Sequence, residues 1–183
     1  MTLKREEITG QKKDLKEMRR LYDASFLDDE RIPFSRLLRE LSDERRMFAY
    51  YDGEELIGLS YLFYHEDLVY LSYICVEEKL RDHGYGSMIL QDIKEMCFNR
   101  RIALDIEEVK GENIEEKKKR KEFYLRNGFS SSGIFYHIYH VDYEILKWNG
   151  DVKKEEWHAL IRRHWGRFAE SAVYKEKGSV PAL

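Results

Sequence analysis

Only two cysteines, Cys75 and Cys97, occur in the 183 residues. They have neither the spacing of a metal site nor the density of a disulfide-stapled secreted domain. No apolar run approaches the roughly 18 residues that a membrane span needs. The opening stretch, MTLKREEITGQKKD, has no signal-peptide apolar core. Neither sign of charge dominates: 32 Lys and Arg face 35 Asp and Glu, for a net charge of −3, so no global field advertises nucleic acid or an anionic membrane as partner. There is no linker rich in Pro, Gly and Ser, and no internal repeat. What remains is a chain with 43% hydrophobic residues and charges mixed throughout. That composition predicts a soluble globular protein, cytoplasmic and with reduced thiols, long enough for one domain with a sizeable core.

Apolar spacing predicts the elements. Leu3–Ile8 reads as a first strand. Lys12–Phe26 has helical spacing through Leu15, Met18, Leu21 and Tyr22, and a second short helix follows Pro33. Three strands, Arg46–Tyr51, Glu55–Tyr64 and Leu68–Val76, are separated by the turn signals Asp52-Gly53 and His65-Glu66-Asp67. A helix over 84–99 has Ile89, Leu90, Ile93, Met96 and Cys97 on one face, and Arg101–Val109 reads as a buried strand. A charged helix ends at Gly128, a C-cap position, before strands near Ser132–His137 and Tyr139–Leu146. Past Asp151 one helix presents Trp157, Leu160, Ile161, His164, Trp165, Phe168 and Ala172 as a stripe. The order implies an α/β or α+β fold with a sheet of mixed direction. We expect one domain over 1–150, with 151–183 an added C-terminal helix and tail packed on it. Were the Trp157/Trp165 face exposed instead, it would offer a homodimer contact.

One stretch carries chemistry: Arg81-x-x-Gly84-x-Gly86, between the strand ending in YICV and an amphipathic helix. Glycine lets backbone approach a ligand closely and permits positive φ, and a helix start presents N–H groups and partial positive charge to an anion. The order strand–loop–helix aims a row of N–H groups at one point, as a pyrophosphate requires. No Gly-Lys-Ser/Thr follows, so this is not a Walker loop, and position 89 is Ile where a dinucleotide fingerprint needs glycine. An ordinary loop before a helix is the bland alternative.

The strand LSYICV, the loop RDHGYG, the buried strand IALDIEEV and a helix containing EFYLRNGF, in this order, resemble the GCN5-related N-acetyltransferases (GNAT). Element order matches over about residues 3–146, and the motifs over Leu71–Phe129. The resemblance implies a GNAT-like mixed, mostly antiparallel central sheet flanked by helices, with acetyl-CoA as cofactor. The backbone N–H groups of Asp82, His83, Gly84, Tyr85, Gly86 and Ser87 would then hold the pyrophosphate. Main-chain groups of Ile74, Cys75 and Val76 would pair with the pantetheine arm, and one N–H would polarise the thioester carbonyl. Arg81 adds charge to the cradle or is simply a solvated surface residue.

The resemblance further implies direct acetyl transfer to a primary amine through a tetrahedral intermediate, with Tyr124 as general acid. A phenol of pKa about 10 is protonated at neutral pH and can donate to a developing thiolate; the alternative is an aromatic packed beside Phe123 and Phe129. An alkyl ammonium needs a proton acceptor. Asp105 and Glu107 share one face of their strand by alternation, and either could serve or could be salt-bridged. Asp105 sits where some family members place a glutamate, and Lys117 stands where members often carry asparagine. Cys75 is a tempting nucleophile, but a cysteine in mid-strand is more often a small buried apolar residue.

The run Lys117–Lys121 could suggest a nucleic-acid patch, but its acidic neighbours make a solvated helix face the better expectation. His137 and His140 lack the partners of a metal site. The acceptor is a small-molecule, peptide or protein amine; Asp28, Asp29 and Glu30 hint at a cationic one or cap the next helix. The rivals are a non-catalytic acyl-CoA-binding sensor and a protein-interaction module with an empty cleft.

Overall fold

The computed structural model describes residues 3–9, 14–27, 31–138 and 140–175, and it divides into two compact units, Met1–Phe98 and Asn99–Leu183. The first unit runs β1 (Leu3–Glu7), α1 (Leu15–Ser25), α2 (Phe34–Arg39), β2 (Arg45–Asp52), β3 (Glu55–His65), β4 (Leu68–Val76) and α3 (Tyr85–Met96). Its strands lie in the order β1-β2-β3-β4, each antiparallel to the next. The second unit runs β5 (Arg101–Glu107), α4 (Ile114–Arg126), β6 (Ser130–Ile138), β7 (Val141–Trp148), α5 (Lys154–Trp165) and β8 (Val173–Lys175). Its order is β5-β7-β6-β8, again antiparallel. The fold is thus mixed α/β with mostly antiparallel strands flanked by helices, as expected.

Turn chemistry sets the strand ends. Between Asp52 and its partner Glu55 only Gly53 and Glu54 remain, and Gly53 takes φ +61°. Between His65 and Leu68 the two turn residues include Glu66 at φ +53°. Two-residue hairpins favour such positive φ because it matches the strand twist. β3 is buried without interruption from Leu56 to Phe63, so both of its faces are covered, and α1 and α3 both pack on β3 and β4.

α3 is shorter than the expected 84–99: it ends at Met96, and the Cys97 N–H closes the last turn on Ile93 O at 2.9 Å. The helix expected from Lys12 begins at Leu15 among the described residues, and residues 12 and 13 lie outside them. α4 stops at Arg126, and Gly128 follows at φ +78° in the left-handed position expected of it.

α5 is seated by Trp157, which is fully buried and lies 6.2 Å from the ring of Tyr136 on β6. The stripe Trp157, Leu160, Ile161 and His164 is therefore core, and Trp157 offers no exposed dimer face; Phe168 lies outside the described side chains. Arg101 of β5 ties down the start of α5. Its guanidinium donates to both Glu156 carboxylate oxygens, at 3.0 and 3.1 Å, and to Asp151 O. That guanidinium, together with the Lys153 N–H, holds the Glu156 carboxyl below its usual range.

Gly58 sets how closely α3 approaches the sheet. A Cβ there would stand 2.4 Å from Cys75 O and 2.8 Å from Ile89 Cδ1. Gly58→Ala must therefore displace the β4 backbone or the helix. Overpacking of this kind costs about 1–3 kcal/mol, to be read as a lower urea midpoint at unchanged slope. An unchanged midpoint would show that the contact relaxes freely.

Candidate active site

β4 ends at Val76, one edge of Ile74–Val76 being paired with Gly58–Ser60 of β3. A single 3-10 turn, Glu78–Leu80, then leads to Arg81. Two left-handed residues follow in alternation, Asp82 at φ +64° and Gly84 at φ +86°. Aspartate tolerates that region better than most residues, and glycine occupies it at no steric cost. The alternation coils the chain into the concave arrangement that presents successive N–H groups to an anion.

Gly84 is the N-cap of α3 and provides no side-chain cap. The N–H groups of residues 84–87 precede the first intrahelical bond, Met88 N to Gly84 O at 3.1 Å, and none has a backbone acceptor among the described residues. A Cβ built on Gly84 would meet nothing within 4 Å. The space in front of the helix is therefore open, and α3 has no acidic residue in its first turn. A row of leading N–H groups, a helix dipole and unfilled space suit a pyrophosphate.

Side chains of the loop are held aside. Tyr85 Oη donates to Asp52 Oδ2 at 2.8 Å, anchoring the first turn of α3 to the end of β2, and that carboxylate raises the phenol's pKa. His83 Nδ1 donates to Arg81 O at 2.7 Å. Arg81 is exposed, with its Nε 3.4 Å from Val76 O, and Ser87 is exposed. Cys75 is 8% exposed, and burial pushes its thiol up to about 11, so no thiolate exists there near neutral pH.

In the second unit Tyr124 is buried near the end of α4, with Phe123 and Phe129 edge-on at 5.2 and 5.8 Å. The ring is clamped, and its hydroxyl has no hydrogen-bond partner among the described residues. Burial, aided by the nearby Asp105 carboxylate and opposed by Arg120, pushes the phenol up to about 12. Asp105 Oδ2 accepts a 2.5 Å hydrogen bond from Tyr136 Oη. Glu107 is engaged differently, by Lys117 Nζ at 2.8 Å and Arg120 at 3.4 Å. Asp105 thus lies close enough to Tyr124 for its charge to be felt there, and Glu107 is given to ion pairs.

The charged run on α4 is not simply a solvated face. Lys117 and Arg120 reach Glu107, and Lys121 Nζ lies 2.6 Å from Glu144, an acid on β7 that is only 2% exposed. Lys117, Lys121 and Tyr124 follow at i, i+4 and i+7, one stripe of the helix. Lys118 and Lys119 are exposed. Sequence reasoning missed Gly58, Tyr136 and Glu144. A glycine inside the aliphatic run LIGLSYL signals close backbone approach, but nothing local marks the other two. The acidic loop residues Asp28, Asp29 and Glu30 lie outside the described residues. Among the described residues no group of three or more His, Cys, Asp or Glu could hold a metal ion, and no helix is long and apolar enough to cross a membrane.

No curated protein sequence matches the chain. Solved structures do. An acetyltransferase of the GNAT family from Bacteroides thetaiotaomicron superposes with a TM-score of 0.66 at 21% identity, covering 83% of this chain and 89% of that one. The ribosomal-protein-S18-alanine N-acetyltransferase of Escherichia coli gives 0.62 at 13% identity, covering 83% and 97%. A GNAT acetyltransferase from Elizabethkingia anophelis with acetyl-CoA bound gives 0.57 at 14% identity, covering 81% and 98%. At these identities the likeness establishes the fold. The acetyltransferase (GNAT) family model matches residues 15–129, well over half of the chain and inclusive of both the glycine loop and Tyr124, and by that match this protein belongs to the GNAT acetyltransferase family.

Proposed function

We propose that this acetyltransferase moves the acetyl group of acetyl-CoA, the acyl donor of its family, directly onto a primary amine. The observation that carries the reading is the open row of leading N–H groups at Gly84–Ser87, approached through the left-handed pair Asp82 and Gly84. In this reading the backbone of residues 82–87 holds the pyrophosphate, with Arg81 adding charge at its exposed edge. Main-chain groups of Ile74, Cys75 and Val76 align the pantetheine arm, and one of their N–H groups polarises the thioester carbonyl.

Asp105 accepts the proton that the acceptor ammonium must lose before its nitrogen can attack. Tyr124 is assigned, by the family's pattern, as the donor to the departing sulfur. A complete proton transfer from a phenol at about 12 to a thiolate whose acid has a pKa of about 8.5 is uphill by about 3.5 units, or about 5 kcal/mol. Tyr124 therefore acts chiefly as a hydrogen-bond donor to charge developing on sulfur, and the proton that finally rests on the thiol is the second one shed by the amine. The balance is one ammonium and one thioester giving an amide, a thiol and one proton to solvent. Glu107, held by Lys117 and Arg120, secures α4 instead of serving as base.

Three outcomes test this. Calorimetric titration of Gly84→Glu with acetyl-CoA should show affinity reduced at least about a hundredfold, roughly 3 kcal/mol, in a protein with native circular dichroism; undiminished binding would remove the pyrophosphate assignment. Tyr124→Phe should lower turnover about 10- to 100-fold at unchanged KM for acetyl-CoA, measured by thiol release with a panel of primary amines. Full activity would leave Tyr124 a packing residue. Cys75→Ala should retain turnover, and its loss in a folded variant would restore an acyl-cysteine route.

A further inference from the structure

We propose that Tyr136 is a positioning residue for the acid–base pair, acting through Asp105. This rests on the reading of Asp105 as proton acceptor. Tyr136 lies on β6, beyond the stretch 15–129 that defines family membership. Its hydroxyl donates to Asp105 Oδ2 at 2.5 Å across 31 positions of sequence. The ring that carries this hydroxyl is 4% exposed and is clamped on three sides. Tyr143 of β7 stacks on it at 5.3 Å, Trp157 of α5 lies at 6.2 Å and Tyr174 of β8 at 5.9 Å. A phenol fixed in this way has little rotational freedom left, so its hydroxyl fixes the carboxylate in turn. The C-terminal helix and strand thereby reach the chemistry through one ring.

Charged and titratable groups stand around Asp105 and Tyr136 on several neighbouring elements. From α4 come Tyr124 and, beside it, Arg120. Two residues along β5 stands Glu107, engaged by Lys117 and Arg120. β7 contributes Tyr143, opposite Glu107 and stacked on Tyr136. α5 contributes His158, whose Nδ1 is 3.1 Å from the Tyr174 hydroxyl. The Tyr136 hydroxyl donates directly to the carboxylate. A hydrogen bond to the ionised form favours that form and lowers the group's pKa. The Tyr136 hydrogen bond thus favours the ionised carboxylate, the form that can take a proton.

The test is a carbon-13 titration of the aspartate carboxyl signals in the full chain, with the Asp105 signal assigned by its absence in Asp105→Asn. Tyr136→Phe preserves the ring and its stacking but removes the donor. It should move the Asp105 midpoint upward by about one unit, with only a small fall in Tm. An unchanged midpoint in the folded variant would overturn the proposal, because a purely structural ring would alter Tm without touching that titration. Tyr143→Phe, which alters the neighbouring ring and leaves the donor in place, should leave the midpoint where it is; an equal shift there would assign the effect to packing and overturn the proposal as well. The base reading fails separately, through undiminished turnover in Asp105→Asn.

Discussion

The approach of α3 to the backbone of β3 and β4 is the constraint on which the cofactor side of this molecule depends. With no side chain at Gly58, Ile89 can sit where a Cβ would otherwise be, against the Cys75 carbonyl. A helix seated that closely has the position of its first turn decided by backbone, and Tyr85 then pins the same turn to the end of β2 through Asp52. The leading N–H groups inherit that rigidity. Because anion binding at a helix start depends on several N–H vectors converging, what matters is the placement of the whole turn more than the identity of its side chains.

The second unit meets its own requirement by charge. α4 has a polar sequence, so hydrophobic burial alone could not dock it. Lys117, Arg120 and Lys121 reach carboxylates of β5 and β7, and Tyr124 with Phe129 adds the apolar contact. The Lys121–Glu144 pair is the costly one, since a carboxylate at 2% exposure has lost most of its water and must be compensated by its partner. Removing Lys121 would leave Glu144 buried without the cation it now faces.

Much of this was legible in the sequence, for physical reasons that differ by element. β2, β3 and β4 announced themselves because aromatic and β-branched residues filled them and positive-φ turns separated them. The loop before α3 was legible because glycine at two fixed offsets is expensive in a helix start unless something is gained there. α4 is largely the solvated face its sequence suggests, but Lys117 and Lys121 depart from it, since a lysine that spans to a partly or fully buried acid is indistinguishable in sequence from one in water. Tyr136 and Glu144 were invisible for a related reason: each acquires its meaning from a partner 23 or more positions away, brought near by strand pairing in one case and by helix docking in the other, neither of which a local pattern reports. Helix ends were the least exact, α3 stopping three residues short of its expected limit because Cys97 closes the final turn instead of extending it.

A thiol in the strand that lines an activated thioester is a chemical hazard, because thiolate and thioester exchange acyl groups readily. In the proposed reading Cys75 stands in such a strand, yet it is nearly enclosed and its ionisation is pushed up to about 11. Self-acylation would divert the acetyl group into a dead-end bond inside the protein. On that reading burial holds the side reaction down by withholding the nucleophilic form, so a residue outside the proposed transfer would still decide where the acetyl group cannot go.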